Sequence, residues 1–471
     1  MKNVIFIFPL LFIFELIFGV SGTMIMVGGV AIRHILFILT FISLYGYILF
    51  YLIKNKIKIF STKEGSFLGS FNCMDIFAVV FEISMLMSMT VIPYIKGTNL
   101  HYAYSEVFDS AAIFSLYFAV SYLIKEKQID MRKLMSYLKL LIFIFAVEHL
   151  IFYFGQEMSE GFIEGFFEFF ENLVRGHGIV QKVVLGHGGY TRVVFNTSIY
   201  LLVGISIFFY NFRGNKWYDY LFFCVEILAI ITTVMKSIWL GAGIALIIVI
   251  VFGFFYAINK ECKVAIKFVL TGIAAVLLVV GTDSMIFNGI VKVRMSNAFI
   301  TENITGDDKN ILERIDAEGA AESNAIKIEQ IGELLEKWKG SPIVGYGYGS
   351  YVENYLRSEE APFSYEMQFF SLLMKIGVIG LVIWLAFFAL QFIVMIKIQE
   401  KDMIHIIGWL FLLISMVISV QTNPLLISFT GMSVLLFLSL LSVYECCGID
   451  KRSDKSIDEK TSYNIGSNGG I

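Results

Sequence analysis

Apolar runs long enough to cross a lipid bilayer recur along almost the whole of this 471-residue chain, and no other feature constrains the fold so strongly. A helix needs roughly 20 apolar residues to span the hydrocarbon layer. Runs of about that length lie near 4–20, 30–53, 74–95, 107–125, 136–155, 193–211, 218–235, 238–257, 264–287, 367–396, 403–421 and 424–444. They predict an all-α polytopic membrane protein with about twelve transmembrane helices. Composition agrees, since 57% of the residues are hydrophobic and 16% charged, more apolar surface than a water-soluble fold hides. The net charge of −3 gives no ground for a nucleic-acid partner. Cys73, Cys224, Cys262, Cys446 and Cys447 lie scattered, without metal-ligand or disulfide-framework spacing. MKNVIFIFPLLFIFELIFGV lacks a small-residue cleavage site and carries Glu15 within its apolar run, so it reads as a retained first helix.

Loop charge sets the expected orientation. The segments 54–63, 125–139, 211–217, 259–267, 396–402 and the tail after 444 are rich in Lys and Arg, and they alternate with loops that are not. Both termini are therefore expected in the cytoplasm. Two long loops then fall on the outer face, 156–192 and 288–366. The expected divisions are 1–287 (nine helices and the loop 156–192), the large extracytoplasmic loop 288–366, three further helices in 367–444, and a polar, disordered tail 445–471.

The large loop carries 14 acidic and 8 basic residues, so an anionic ligand there must be held by selected cations. Arg294, Arg314 and Lys327 are the loop candidates, with Arg192 and Lys236 at neighbouring outer-face boundaries. Either of the last two is equally readable as a helix-end charge reaching for the interface. Residues 318–339 read as an amphipathic helix with Ala320, Ile328, Ile331, Leu335 and Trp338 on one face, ended by Gly340 and Pro342. Glu366 sits where the loop meets the next helix. There it is either a carboxylate favoured by the helix N-terminus or a general base at the bilayer edge. In SPIVGYGYGSY, Gly345 and Gly347 permit a tight return of the chain toward the membrane, while Tyr346 and Tyr348 are candidates for stacking on sugar or anchoring at the interface. The stretch lacks the Lys and Ser/Thr pattern of a nucleotide phosphate loop. His177 and His187 have no Cys or carboxylate at matched spacing, and no role follows for them or for Glu148 and His149.

TRVVF, KSIWLGAG, SNAIKIEQIGELLEKWKGSPIVGYGYGS and SYEMQFFSLLMKIGVIGLVIW follow one another in that order. Together, over roughly 188–385, they resemble the O-antigen polymerase and ligase family, the Wzy-type repeat-unit polymerases and their lipopolysaccharide ligase relatives. The first half of the chain shares only hydropathy with it. The resemblance implies a GT-C-like helical fold with one large extracytoplasmic loop near the C-terminal third. It also implies basic residues at three places, matched by Arg192, by Lys236 in place of arginine, and by Lys327 in place of arginine. Where the ligase branch carries a histidine before the helix that follows the loop, this chain has Glu366, a departure that favours the polymerase branch.

The activity implied is a glycosyltransferase of the bacterial cytoplasmic (inner) membrane that polymerises undecaprenyl-pyrophosphate-linked oligosaccharide repeat units into O-antigen, capsular or exopolysaccharide. Its site is extracytoplasmic, and it inverts the anomeric centre without metal or cofactor. Its partners would be the lipid-linked donor and acceptor, membrane lipids and a chain-length regulator. Two alternatives stand beside it. One is a ligase that transfers finished polymer to a lipid A core. The other is a lipid-linked oligosaccharide flippase, which the absence of an internal repeat disfavours.

Overall fold

The fold is that of a computed structural model and describes residues 6–19, 25–58, 66–159, 161–162, 165–166, 168, 192–260, 263–287, 289–296, 311–356, 358–398, 403–422 and 424–465. It is built from helices α1 (Ile7–Phe18), α2 (Ile32–Lys54), α3 (Cys73–Met89), α4 (Val91–Lys96), α5 (Leu100–Lys125), α6 (Met131–Met158), α7 (Tyr200–Tyr210), α8 (Trp217–Thr232) and α9 (Lys236–Lys260). These continue as α10 (Lys263–Met285), α11 (Ile290–Ser296), α12 (Ile311–Lys339), α13 (Gln368–Ile398), α14 (Met403–Ser419) and α15 (Phe429–Ile465). The only sheet among the described residues is a two-stranded hairpin, Met26–Val27 with Val30–Ala31. Its turn residues Gly28 and Gly29 both have positive φ, as such tight hairpins require.

Among the described residues, eight segments are long and apolar enough to cross a membrane, among them α2, α5, α6, α9, α10 and α13. Three shorter apolar helices, Ile7–Phe18, Asn196–Tyr210 and Ile404–Ser419, coincide with further predicted runs. The run at 218–235 is the 16-residue α8, which carries Asp219 and Glu226. Outward side chains such as Ile42, Leu277 and Val382 are more than half exposed, as lipid-facing positions of a multi-pass membrane protein require. α15 runs past its apolar part to Ile465, through the segment expected to be a disordered tail.

Local chemistry starts several helices. Asn72 and Asp75 form a reciprocal capping box at α3, and Asn99 and Asp130 cap α5 and α6. Between helices, small residues allow close approach. The Ser206 hydroxyl on α7 donates to the Gly408 carbonyl on α14 at 2.7 Å, and a Cβ at Gly408 would meet the Tyr210 backbone. Buried ion pairs tie other helices together. Asp75 meets Lys125, Tyr117 and Ser121, and Lys139 meets Asp219.

α13 is broken near its start. Gly377 has φ 63° and ψ −172°, which interrupts the hydrogen-bond ladder. The loop 341–351 fills the break. Tyr346 and Gly347 N–H donate to the carbonyls of Met374 and Lys375 at 3.1 and 2.7 Å, and Val378 and Ile379 N–H donate to Pro342 and Ile343 at 3.0 and 3.1 Å. A helix interruption inside a membrane protein must be satisfied by protein, and here one loop supplies both donors and acceptors.

Candidate active site

The loop 341–351 is held at three glycines in the left-handed region, with φ of 70°, 85° and 78° at Gly345, Gly347 and Gly349. Each faces a different element. A Cβ on Gly345 would strike the Lys375 and Gly377 backbone, one on Gly347 would strike Pro93 in α4, and one on Gly349 would strike the Tyr102–Ala103 backbone of α5. The Tyr348 amide donates to the Ser88 carbonyl at 2.8 Å, and the Thr98 hydroxyl donates to the Tyr346 carbonyl at 2.9 Å. Glycine is required here by contact as well as by φ.

This geometry corrects part of the sequence reading. Tyr348 is wholly buried, so it neither stacks on a sugar nor anchors at the interface. Burial also pushes its phenol pKa up. Tyr346 is half-buried, with the ammonium groups of Lys96 and Lys337 over its ring at 5.7 and 5.4 Å.

The helix before the loop also presents a different face from the one expected. Leu334 and Gln330 are buried, whereas Ile328 is 58% exposed. Lys327, Gln330, Leu334 and Trp338, spaced by three and four residues, form the inward stripe. Leu334 packs with Val352, Tyr365 and Met374, with Trp338, Tyr355 and Phe370 at the edge. Apolar residues lie on both sides of α12, so hydropathy alone does not select the face.

On that stripe Lys327 Nζ lies 3.8 Å from Glu366 Oε2. Their side chains are 22% and 24% exposed, sheltered yet open to a ligand. Backbone contacts fix the pair from both sides. Gln330 Oε1 accepts from the Met367 amide at 2.9 Å, and the Tyr355 hydroxyl donates to the Ile326 carbonyl at 3.0 Å. The Ser323 hydroxyl accepts from Lys327 Nζ at 3.2 Å. Glu366 precedes the first residue of α13 by two positions, at the junction the sequence placed it.

Three further candidate cations, Arg192, Lys236 and Arg294, lie at or beside one turn. Residues 233–235 join α8 to α9, and Val234, a β-branched residue, stands at φ 50°. Such a conformation is sterically costly and marks a backbone held by its surroundings. Arg294 Nη2, on α11, donates to the Val234 carbonyl at 3.4 Å. The Val193 amide donates to the Thr232 carbonyl at 2.9 Å, which brings the adjacent Arg192 to the same turn. Lys236 opens α9 two residues after Val234. All three are partly exposed. α11 packs against α12, so the helix bearing Arg294 adjoins the helix bearing Lys327. Arg314 lies on α12, and its side chain is outside the described residues, as are His177 and His187.

His149 is buried, with its ring nitrogens 2.9 Å from the Phe145 carbonyl and 3.0 Å from the Ser198 hydroxyl, a packing role beneath the segment that carries Arg192. Among the described residues no group of three or more His, Cys, Asp and Glu side chains is placed to hold a metal ion.

Sequence reading missed one ion pair at this site. Lys375, fully buried on α13, pairs with Glu106 on α5. The signal was present, since a charged residue within an apolar helix needs a partner, but the partner lies 269 positions away.

Residues 220–385 match the Wzy_C family model, described as O-Antigen ligase. The match covers α8 to the middle of α13 and takes in Lys236, Arg294, Lys327 and Glu366. It supports placing the chain in the O-antigen polymerase and ligase family. No curated protein and no solved structure matches the chain.

Proposed function

From that family placement we propose that the chain is a membrane glycosyltransferase that polymerises lipid-pyrophosphate-linked oligosaccharide repeat units on the outer face of the bacterial cytoplasmic membrane. The observation that carries the reading is the Lys327–Glu366 pair, an ammonium and a carboxylate 3.8 Å apart where the polar loop meets a membrane helix. A lipid-linked donor presents its pyrophosphate at this level. Cleavage of the sugar–phosphate bond concentrates negative charge on the leaving pyrophosphate, and preorganised cations lower the barrier by stabilising it. In this reading Lys327, together with Arg192, Lys236 and Arg294 about the 233–235 turn, supplies those cations. Arginine grips phosphate through two parallel bonds, whereas lysine acts as a point charge, so the arginines orient and the lysines neutralise.

Glu366 takes the proton from the acceptor sugar hydroxyl as that oxygen attacks the anomeric carbon. The pyrophosphate competes for the Lys327 ammonium and frees the carboxylate for that task. Attack opposite the leaving group inverts the anomeric centre. The carbon–oxygen bond to the acceptor forms as the carbon–oxygen bond to phosphate breaks, and the pyrophosphate leaves on its lipid.

Glu366→Gln in the native host tests this. The expected result is a cell surface bearing single repeat units, with full-length protein at parental abundance in the membrane. Long polymer at parental levels would remove Glu366 from the chemistry. The description of the matched family favours a second reading, ligation of finished polymer to a lipid acceptor. In that case the same variant leaves long polymer on its carrier lipid and none on the final acceptor.

A further inference from the structure

Glu106 and Lys375 take no part in the chemistry above, yet they are the most enclosed charged pair near it, with side chains 6% and 0% exposed. Their other bonds do not return to their own helices. Glu106 Oε2 accepts from the Gly349 amide at 2.6 Å, and Lys375 Nζ donates to the Phe363 carbonyl at 2.7 Å. The same ammonium lies 5.6 Å from the centre of the Tyr365 ring. One ion pair thus grips both ends of the segment 349–363, which leaves the glycine loop and returns three residues before Glu366.

From this anchor a chain of bonds reaches the proposed site. The Tyr365 hydroxyl accepts from the Val352 amide at 2.7 Å and donates to the Tyr355 carbonyl at 3.4 Å. The Tyr355 hydroxyl in turn holds the Ile326 carbonyl, next to Lys327. Slack at Phe363 therefore passes to Glu366 along the chain and to Lys327 through Tyr365 and Tyr355.

We infer that Glu106 and Lys375 are positioning residues that set the separation of Lys327 and Glu366 by clamping the two ends of the segment 349–363 onto α5 and α13. This rests on the proposed chemistry only for its catalytic consequence, because the clamp itself is a statement about distance. The polarity of the clamp is fixed. The carboxylate must stand at 106 to accept from an amide, and the ammonium at 375 to donate to a carbonyl. A reversed ion pair restores the charge balance and neither of these bonds.

The test uses the full chain in lipid nanodiscs with its five cysteines replaced. Spin labels are placed at exposed Glu329→Cys on α12 and exposed Glu359→Cys in the clamped segment, and their distance distribution is read by pulsed electron paramagnetic resonance. The parent gives one narrow distribution. Lys375→Met broadens it, and so does Glu106→Gln/Lys375→Met, which leaves no uncompensated charge to unfold the protein but still strips Phe363 of its donor. With the host's own lipid-linked repeat unit in proteoliposomes, the same variants lose about a hundredfold in kcat with KM nearly unchanged, as misplacement by an ångström does. A folded double variant with the parental distribution overturns the inference. If instead the distribution broadens while Glu366→Gln remains fully active, the clamp stands and the proposed chemistry fails.

Discussion

Gly345→Ala tests whether the glycine loop is built by close contact or merely tolerated as a turn. Alanine at φ 70° costs about 1–2 kcal/mol for the left-handed backbone alone. Its Cβ would also overlap the Lys375 carbonyl and the Gly377 amide, and neither is a flexible side chain that can swing away. The loop must then withdraw from the break in α13, which weakens the Gly347 to Lys375 and Tyr346 to Met374 bonds, worth about 1 kcal/mol each. Against this, alanine reduces the freedom of the unfolded chain by about 0.4–1 kcal/mol. The net destabilisation is about 2–3 kcal/mol.

Two other glycines separate the contributions. Gly28 has φ 57° with nothing within 4 Å of an added Cβ, so Gly28→Ala carries the backbone cost only, about 1 kcal/mol or less. Gly332 lies within α12 in open space, so Gly332→Ala stabilises by about 1 kcal/mol. Thermal unfolding in lipid nanodiscs, followed by tryptophan fluorescence, ranks the three. The expected order of stability is Gly332→Ala, parent, Gly28→Ala, Gly345→Ala. A Gly345→Ala midpoint equal to that of Gly28→Ala would refute the contact argument.

Lys327→Arg keeps a cation beside Glu366 and is expected to retain most polymer, whereas Lys327→Ala loses at least about tenfold, both read from the length ladder of the host polysaccharide. Asp75→Asn leaves Lys125 facing a neutral side chain in a buried site, and unfolding in nanodiscs should show a loss of about 3–5 kcal/mol. Burial raises the Tyr365 hydroxyl from 10.0 to about 12, so the folded chain favours its neutral form. That contribution is whole below pH 10 and is lost as pH rises through about 12. A pH series of melting curves should therefore show a downward bend above pH 10 that Tyr365→Phe makes shallower, the other buried tyrosines, Tyr348 among them, keeping the rest.

What was legible in the sequence depends on how far each signal reaches along the chain. The predicted apolar runs coincide with helices because hydropathy is summed over neighbours, and Asn72, Asn99 and Asp130 cap theirs within three residues. The inward face of α12 was not legible. Ile326 and Ile328 are exposed and Gln330 is buried, since the partner surface presents a backbone amide at Met367 rather than apolar side chains. A buried glutamine is then the complementary choice, and no hydropathy scale anticipates it. The glycines of SPIVGYGYGSY announced a bend, but not that the bend completes a helix interrupted at Gly377, because that demand is set by the orphaned carbonyls of Met374 and Lys375.

The break in α13 and the clamp beneath it serve the same end. An uninterrupted helix would carry Glu366 rigidly but give the loop nothing to bond. Opening the ladder at Gly377 exposes carbonyls and amides that only a closely approaching backbone can satisfy, so the loop docks in one register. The Glu106–Lys375 pair then fixes where the chain leaves that dock and where it returns. Both devices lie within about three turns of the N-terminal ends of α5 and α13 and are buried, where the alternative partner, water, is scarce. Left unmade, these bonds would cost more here than at a soluble surface, and that cost helps hold Lys327 and Glu366 together.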